Sequence, residues 1–142
     1  MPVLLDTDHL TILQKERDPE YGRLASRLRG LAPDDIGTTI VNFQEQMQGW
    51  LAYLSRARTS EQIIRAYSEL DAMRRSFSKM NVLEFSTEAQ DHFTILRTQH
   101  VRIGTMDLRI ACIALVSDST LLSRNLRDFR QILGLRVEDW TR

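Results

Sequence analysis

One cysteine, three prolines, six glycines and only two lysines (Lys15 and Lys79) mark what this 142-residue chain has least of. Each scarcity excludes something. Cys112 stands alone, so neither an internal disulfide nor a thiolate zinc site can form. It falls in an apolar helical stretch, where a thiol acts as inert packing. No run approaches the roughly 20 apolar residues that a bilayer-spanning helix needs. The opening residues 1–6 meet an acid too early for a secretory leader, so a cytoplasmic protein with no membrane partner is expected. Repeats, low-complexity tracts and linkers are also missing.

What is present describes an ordinary globular chain. Hydrophobic residues make up 42% and charged ones 27%, and the length suits one domain over 1–142. The net charge of zero names no partner. Nearly all the basic residues are arginines, which suit bidentate phosphate contacts. A GC-rich genome accounts for that bias equally well.

Hydrophobic periodicity predicts alternating strands and helices. Pro2–Leu5, Ile36–Ile40, Val82–Phe85 and Thr120–Ser123 read as strands, with a short last one near Leu135 and Val137. Helical spacing runs from Leu10, over Pro19–Leu31, from Phe43 to Leu54, over Ser60–Lys79, from Ser86 or Thr87 to His100, and from Thr105 to Ser117. The two long central helices, about 41–80, predict a protruding hairpin arm. Such alternation implies an α/β fold, a mostly parallel sheet with helices on both faces. Ligand sites in such sheets lie off the carboxyl ends of the strands.

"GTMDLRIACIAL" (104–115) sets Asp107 on the same helical face as Ile110, Ala111 and Ala114, where burial penalises charge. A first-turn acid behind a Thr105 cap is one explanation. Asp6, Glu45 and Asp128 each follow a strand, so four acids from separated segments can meet on one edge. Each has a plain alternative: Asp6 as a helix cap, Glu45 in a capping box with Asn42, Asp128 as a solvated turn acid. Grouped carboxylates repel, and hard oxygen ligands select Mg²⁺ or Mn²⁺. Together with substrate phosphate, that pattern points to phosphoester chemistry. Asp8, Thr39, Ser123 and Asn125 stand near enough in sequence to orient water or ligand. Arg102, Arg109, Arg124 and Arg127 flank the acids as candidate RNA or acidic-partner contacts, or as solvated surface groups.

The ordered set "LLDTDHL", "TTIVNFQEQMQGW", "IGTMDLRIACIAL" and "LLSRNLRDFRQILGLRVEDW" covers essentially the whole chain. It resembles the VapC-type toxins of bacterial type II toxin–antitoxin systems, which are PIN-domain ribonucleases. Carried over, the first acid is Asp6. The second is Glu45, with Gly49 four residues on and Gln46 in place of the usual apolar residue. The third is Asp107. The fourth falls at Asn125 or Asp128, and Asp128 is taken, with Asn125 assisting. The resemblance implies a three-layer α/β/α fold, Mg²⁺- or Mn²⁺-dependent RNA hydrolysis leaving 5′-phosphate and 3′-hydroxyl ends, homodimerisation, and inhibition by a cognate antitoxin.

Three other readings compete. "DTD" echoes the nucleophile motif of haloacid-dehalogenase-type phosphatases, but no lysine follows Lys79 to serve that chemistry. A PIN-like domain that binds RNA or protein without cutting keeps the fold and loses the activity. A housekeeping PIN nuclease keeps the activity and lacks the antitoxin.

Overall fold

Val3, Leu4 and Leu5 are all buried, and a strand with no polar face must be covered on both sides. They form β1 (Val3–Leu5) of a five-stranded sheet in the computed structural model, which describes residues 2–142. The first residue of the expected 1–142 domain lies outside them. Helices α1 (Thr7–Lys15) and α2 (Glu20–Leu28) and a 3₁₀ turn (Pro33–Asp35) lead to β2 (Ile36–Thr39). Helices α3 (Ile40–Arg56) and α4 (Ser60–Ser78) lead to β3 (Asn81–Leu83). Helices α5 (Thr87–Thr98) and α6 (Thr105–Val116) precede β4 (Thr120–Leu122), and the short α7 (Leu126–Phe129) precedes β5 (Val137–Glu138).

The strand order is β3-β2-β1-β4-β5, with every neighbouring pair parallel. Side chains alternate across the sheet. Leu4 and Leu121 pack with Ile110, Ala111 and Ala114 of α6 and Ala89 of α5. Val3, Leu5 and Leu122 pack on the opposite face with Leu10, Leu24, Met73 and Phe77. The result is the expected three-layer arrangement. A Cβ added at Gly37 would lie 2.8 Å from the Asn81 carbonyl oxygen, so the approach of β2 to β3 requires glycine there.

The hairpin is anchored at its base. Phe43 of α3 and Phe77 of α4 meet edge to face, centroids 5.1 Å apart. Nearer the tip, Leu51, Ile63, Ile64 and Tyr67 are exposed. No helix among the described residues is long and apolar enough to cross a membrane.

Two boundaries correct the sequence reading. Helix α6 is capped by Gly104 without a side-chain bond, not by Thr105; Thr105 instead accepts a bond from the Arg97 guanidinium. Ile40 starts α3 rather than ending β2, because the Thr39 hydroxyl accepts the Asn42 amide and caps the helix. Asn42 is therefore not the cap, and Glu45 forms no capping box with it.

Candidate active site

From β1 the chain moves outward to β2 and β3, then returns across them to lay β4 on the other side of β1. A parallel sheet opens a crevice at such a reversal, beyond the carboxyl ends of the two strands. Asp6 follows β1 and Ser123 follows β4, so both stand at its floor.

Asp6 is buried and hydrogen-bonded through both oxygens. Its Oδ1 accepts the Thr7 amide at 2.9 Å and the Asn42 side-chain amide at 2.9 Å. Its Oδ2 accepts the Ser123 hydroxyl at 2.7 Å. Asp6 thus caps α1, as one plain reading expected, while facing the crevice as well. Half-buried Glu45 accepts the Thr7 hydroxyl at 2.7 Å. That hydroxyl in turn accepts the Asn42 amide at 3.0 Å, and Asn42 Oδ1 accepts the Thr39 hydroxyl at 2.7 Å. Residues 39, 42 and 45 recur every three positions at the head of α3, so one helical face carries three members of the relay and α1 supplies the fourth, Thr7.

The third acid comes from α6. Asp107 Oδ2 accepts the Asn125 side-chain amide at 3.3 Å, and the same nitrogen donates to Asp128 Oδ2 at 3.1 Å. A cavity of about 490 Å³ is lined by Asp6, Thr7, Asp8, Glu45, Asp107 and Asn125, with Arg17 and Arg124.

Burial raises the Asp6 carboxyl pKa; the Ser123 bond opposes this and the Asp8 charge reinforces it. Burial also raises Glu45, against the Thr7 bond and with the charges of Asp6 and Asp107. Asp107 is pushed up to about 6, chiefly by burial and then by the charges of Asp6 and Asp128. The acids feel one another across the cavity. Among the described residues no three acid, imidazole or thiol groups close around a point as metal ligands.

Of the residues singled out in the sequence, Asp6, Asp8, Glu45, Asp107, Asn125 and Arg124 line this cavity. Asp128 stands outside the lining, reaching it only through the Asn125 amide. Thr39 and Ser123 are buried donors beneath the acids. Arg109 lies elsewhere, 5.4 Å from the Phe93 ring and beside Ile40 and Phe85 in a separate cavity. Arg102 and Arg127 are exposed and line no cavity described here. Sequence reasoning passed over Thr7, His9 and Arg17 and took Asn42 only as a cap. The Thr39-x-x-Asn42-x-x-Glu45 spacing was a readable signal for Asn42. Nothing local marked Arg17, which the fold brings to the crevice from beyond the end of α1.

No family model matches the chain. Ribonuclease VapC1 of Haemophilus influenzae strain R2866 is 30% identical over an alignment of 147 positions, covering 100% of both proteins. The chain belongs to the VapC family of PIN-domain ribonuclease toxins. A VapBC-1 structure from nontypeable Haemophilus influenzae matches with a TM-score of 0.77 at 25% identity, again over 100% of both chains. VapBC2 from Rickettsia felis, bound to a promoter DNA fragment, matches in fold with a TM-score of 0.73 over 99% of both chains at 24% identity. The tRNA(fMet)-specific endonuclease VapC of Salmonella typhimurium is 36% identical over 67 residues, 44% of this chain and 51% of that protein. Within the VapC family, then, the crevice holding Asp6, Glu45 and Asp107 is the candidate ribonuclease centre.

Proposed function

We propose that residues 1–142, acting as one domain with the 41–80 arm, form an Mg²⁺- or Mn²⁺-dependent endoribonuclease whose cation is held by Asp6, Glu45 and Asp107, with Asp128 supporting them from behind Asn125. The observation that carries it is the convergence of three chain-distant carboxyl groups on one cavity, each pushed upward by burial and by its neighbours. Such crowding is costly without a compensating positive charge. An all-oxygen donor set fits a hard divalent cation. When bound, that ion supplies neutralisation of the phosphate charge and activation of the attacking water.

The protein's own groups do the positioning. Ser123 and Asn42 hold the two oxygens of Asp6, and Thr7 holds Glu45. One Asn125 amide ties Asp107 to Asp128, so the fourth acid acts from behind Asn125. Exposed Arg17 and Arg124 beside the acids would take RNA phosphates in charge-assisted bonds.

The partners implied are RNA, a cognate antitoxin and a second copy of the chain. A cavity of about 530 Å³ between α1, α3 and α4 includes Trp50, Tyr53, Arg56 and Met73 and shares Thr7, Glu45 and Arg17 with the acid crevice. An antitoxin segment seated in it would block the catalytic groups directly. Mapping the ends of cellular RNA after brief induction, beside an Asp6→Ala control, tests the activity. New 5′-phosphate ends confined to the wild type support it; identical end maps would overturn it.

A further inference from the structure

His9 is fully buried, one residue beyond a carboxylate that lines the crevice, and the acid cluster gives it no role. Its ring is bonded on both sides. Nε2 accepts the backbone N–H of Trp140 at 3.0 Å. An accepting Nε2 leaves the proton on Nδ1 in the neutral ring. Nδ1 lies 2.6 Å from Asp8 Oδ1 and so donates to it. The other Asp8 oxygen accepts the Arg124 backbone N–H at 2.9 Å, with the Ser123 hydroxyl at 3.4 Å.

These bonds form one path from the C-terminal segment to the crevice. Trp140 is buried beneath the Arg27 guanidinium, 4.4 Å from its ring centre. Its N–H fixes His9, His9 fixes Asp8, and Asp8 fixes the backbone at Arg124. That loop carries Ser123, which donates to Asp6, and Asn125, which donates to Asp107 and Asp128.

We infer that His9 is a positioning residue for the proposed ribonuclease centre: it locks Asp8 as a brace on the 123–125 loop and ties that loop to the docked C-terminal segment. Both Asp8 oxygens are thereby engaged by protein groups, one by the His9 ring and the other by the 123–125 loop. The closing segment "VEDW" also gains a physical role, since it supplies the N–H that fixes the histidine. This inference rests on the ribonuclease reading for its catalytic consequence, whereas the bonding path stands independently of it.

Two substitutions separate the two halves of the ring. An asparagine amide overlays the Nδ1 side and can still donate to Asp8; a glutamine amide overlays the Nε2 side and can still accept from Trp140. Nitrogen-15 NMR of the full chain is read first. Wild type is expected to show the Nδ1-protonated neutral tautomer at His9 and slow hydrogen exchange at the Arg124 amide. In His9→Gln, Arg124 exchange is expected to quicken about tenfold or more and kcat to fall about tenfold at unchanged KM, the scale of one lost buried hydrogen bond. His9→Asn is expected to rescue both readouts to within about threefold, by the same measure.

An Nε2-protonated His9 in wild type overturns the inference, and needs no variant to fold. So does a His9→Gln protein with unchanged Arg124 exchange and unchanged kcat. Should wild type fail to cleave RNA with Mn²⁺ present, the ribonuclease reading falls, while the tautomer and exchange measurements still decide the bonding path.

Discussion

Ser123 donates its hydroxyl to Asp6 Oδ2 over 2.7 Å, although 117 positions separate the two in sequence. The bond crosses the reversal between β1 and β4 and opposes the burial that pushes Asp6 upward. Ser123→Ala would leave a buried carboxylate oxygen without its donor, at about 1–3 kcal/mol. The expected outcome is an Asp6 harder to ionise and cleavage slowed about tenfold or more, the same energy expressed as rate. Ser123→Thr, which keeps the hydroxyl, is expected to restore the rate in a parallel RNA-cleavage assay.

Asp107 sets a stability signature of the metal-free protein. Its carboxyl is raised from 3.8 to about 6. The folded state therefore holds this proton more tightly than the unfolded chain does. The stability it contributes is full below about pH 4 and is lost as pH rises through about 6. Asp107→Asn removes that loss. In EDTA near neutral pH the variant is expected to be more stable than wild type by about 1–2 kcal/mol, discounted for partial exposure. Calorimetry would read this as a melting temperature roughly 3–6 °C higher. Added Mn²⁺ should narrow the gap by stabilising wild type more. A lower melting temperature for the variant in EDTA would show that the acids do not strain one another.

Gly37 tests the sheet that places the site. A methyl group there meets the Asn81 carbonyl oxygen at 2.8 Å, so β3 must shift. Gly37→Ala is expected to cost about 1–3 kcal/mol by overpacking, seen as a lower urea midpoint at unchanged slope.

Arg17 lines both the acid crevice and the neighbouring groove. If it meets one phosphate, Arg17→Ala should raise KM severalfold with kcat nearly unchanged. The salt dependence of single-stranded RNA binding should also flatten by about 0.7 in log–log slope. Fluorescence titrations at several salt concentrations check this, and an unchanged slope would place Arg17 off the RNA path.

Much of this was legible in the sequence because it rests on local chemistry. The apolar run Val3–Leu5 ended by Asp6 announces a buried strand with an acid at its carboxyl edge. The spacing from Ile63 to Phe77 marks a helix whatever it packs on. Less local choices were harder to read. Thr105 and Gly104 can both precede a helix, and the choice turned on Thr105 serving Arg97 instead. Asn125 and Asp128 lie one helical turn apart, and only the fold sets the first on the cavity and the second behind it. Arg109 flanks Asp107 by two residues, yet a helix sends such neighbours to different faces, and Arg109 rests against Phe93. His9 looked like part of a helix start, because its partner Trp140 is 131 residues away.

Cleavage of a single-stranded RNA by purified protein, with Mn²⁺, then EDTA, then excess Mn²⁺, beside Asp6→Asn, bears most directly on the carboxylate centre. The expected result is cutting that stops with the chelator and resumes with the ion, while Asp6→Asn falls by about a thousandfold, near the upper end for one electrostatic group. Cutting that ignores EDTA, or an Asp6→Asn protein that cuts at the wild-type rate, would contradict it.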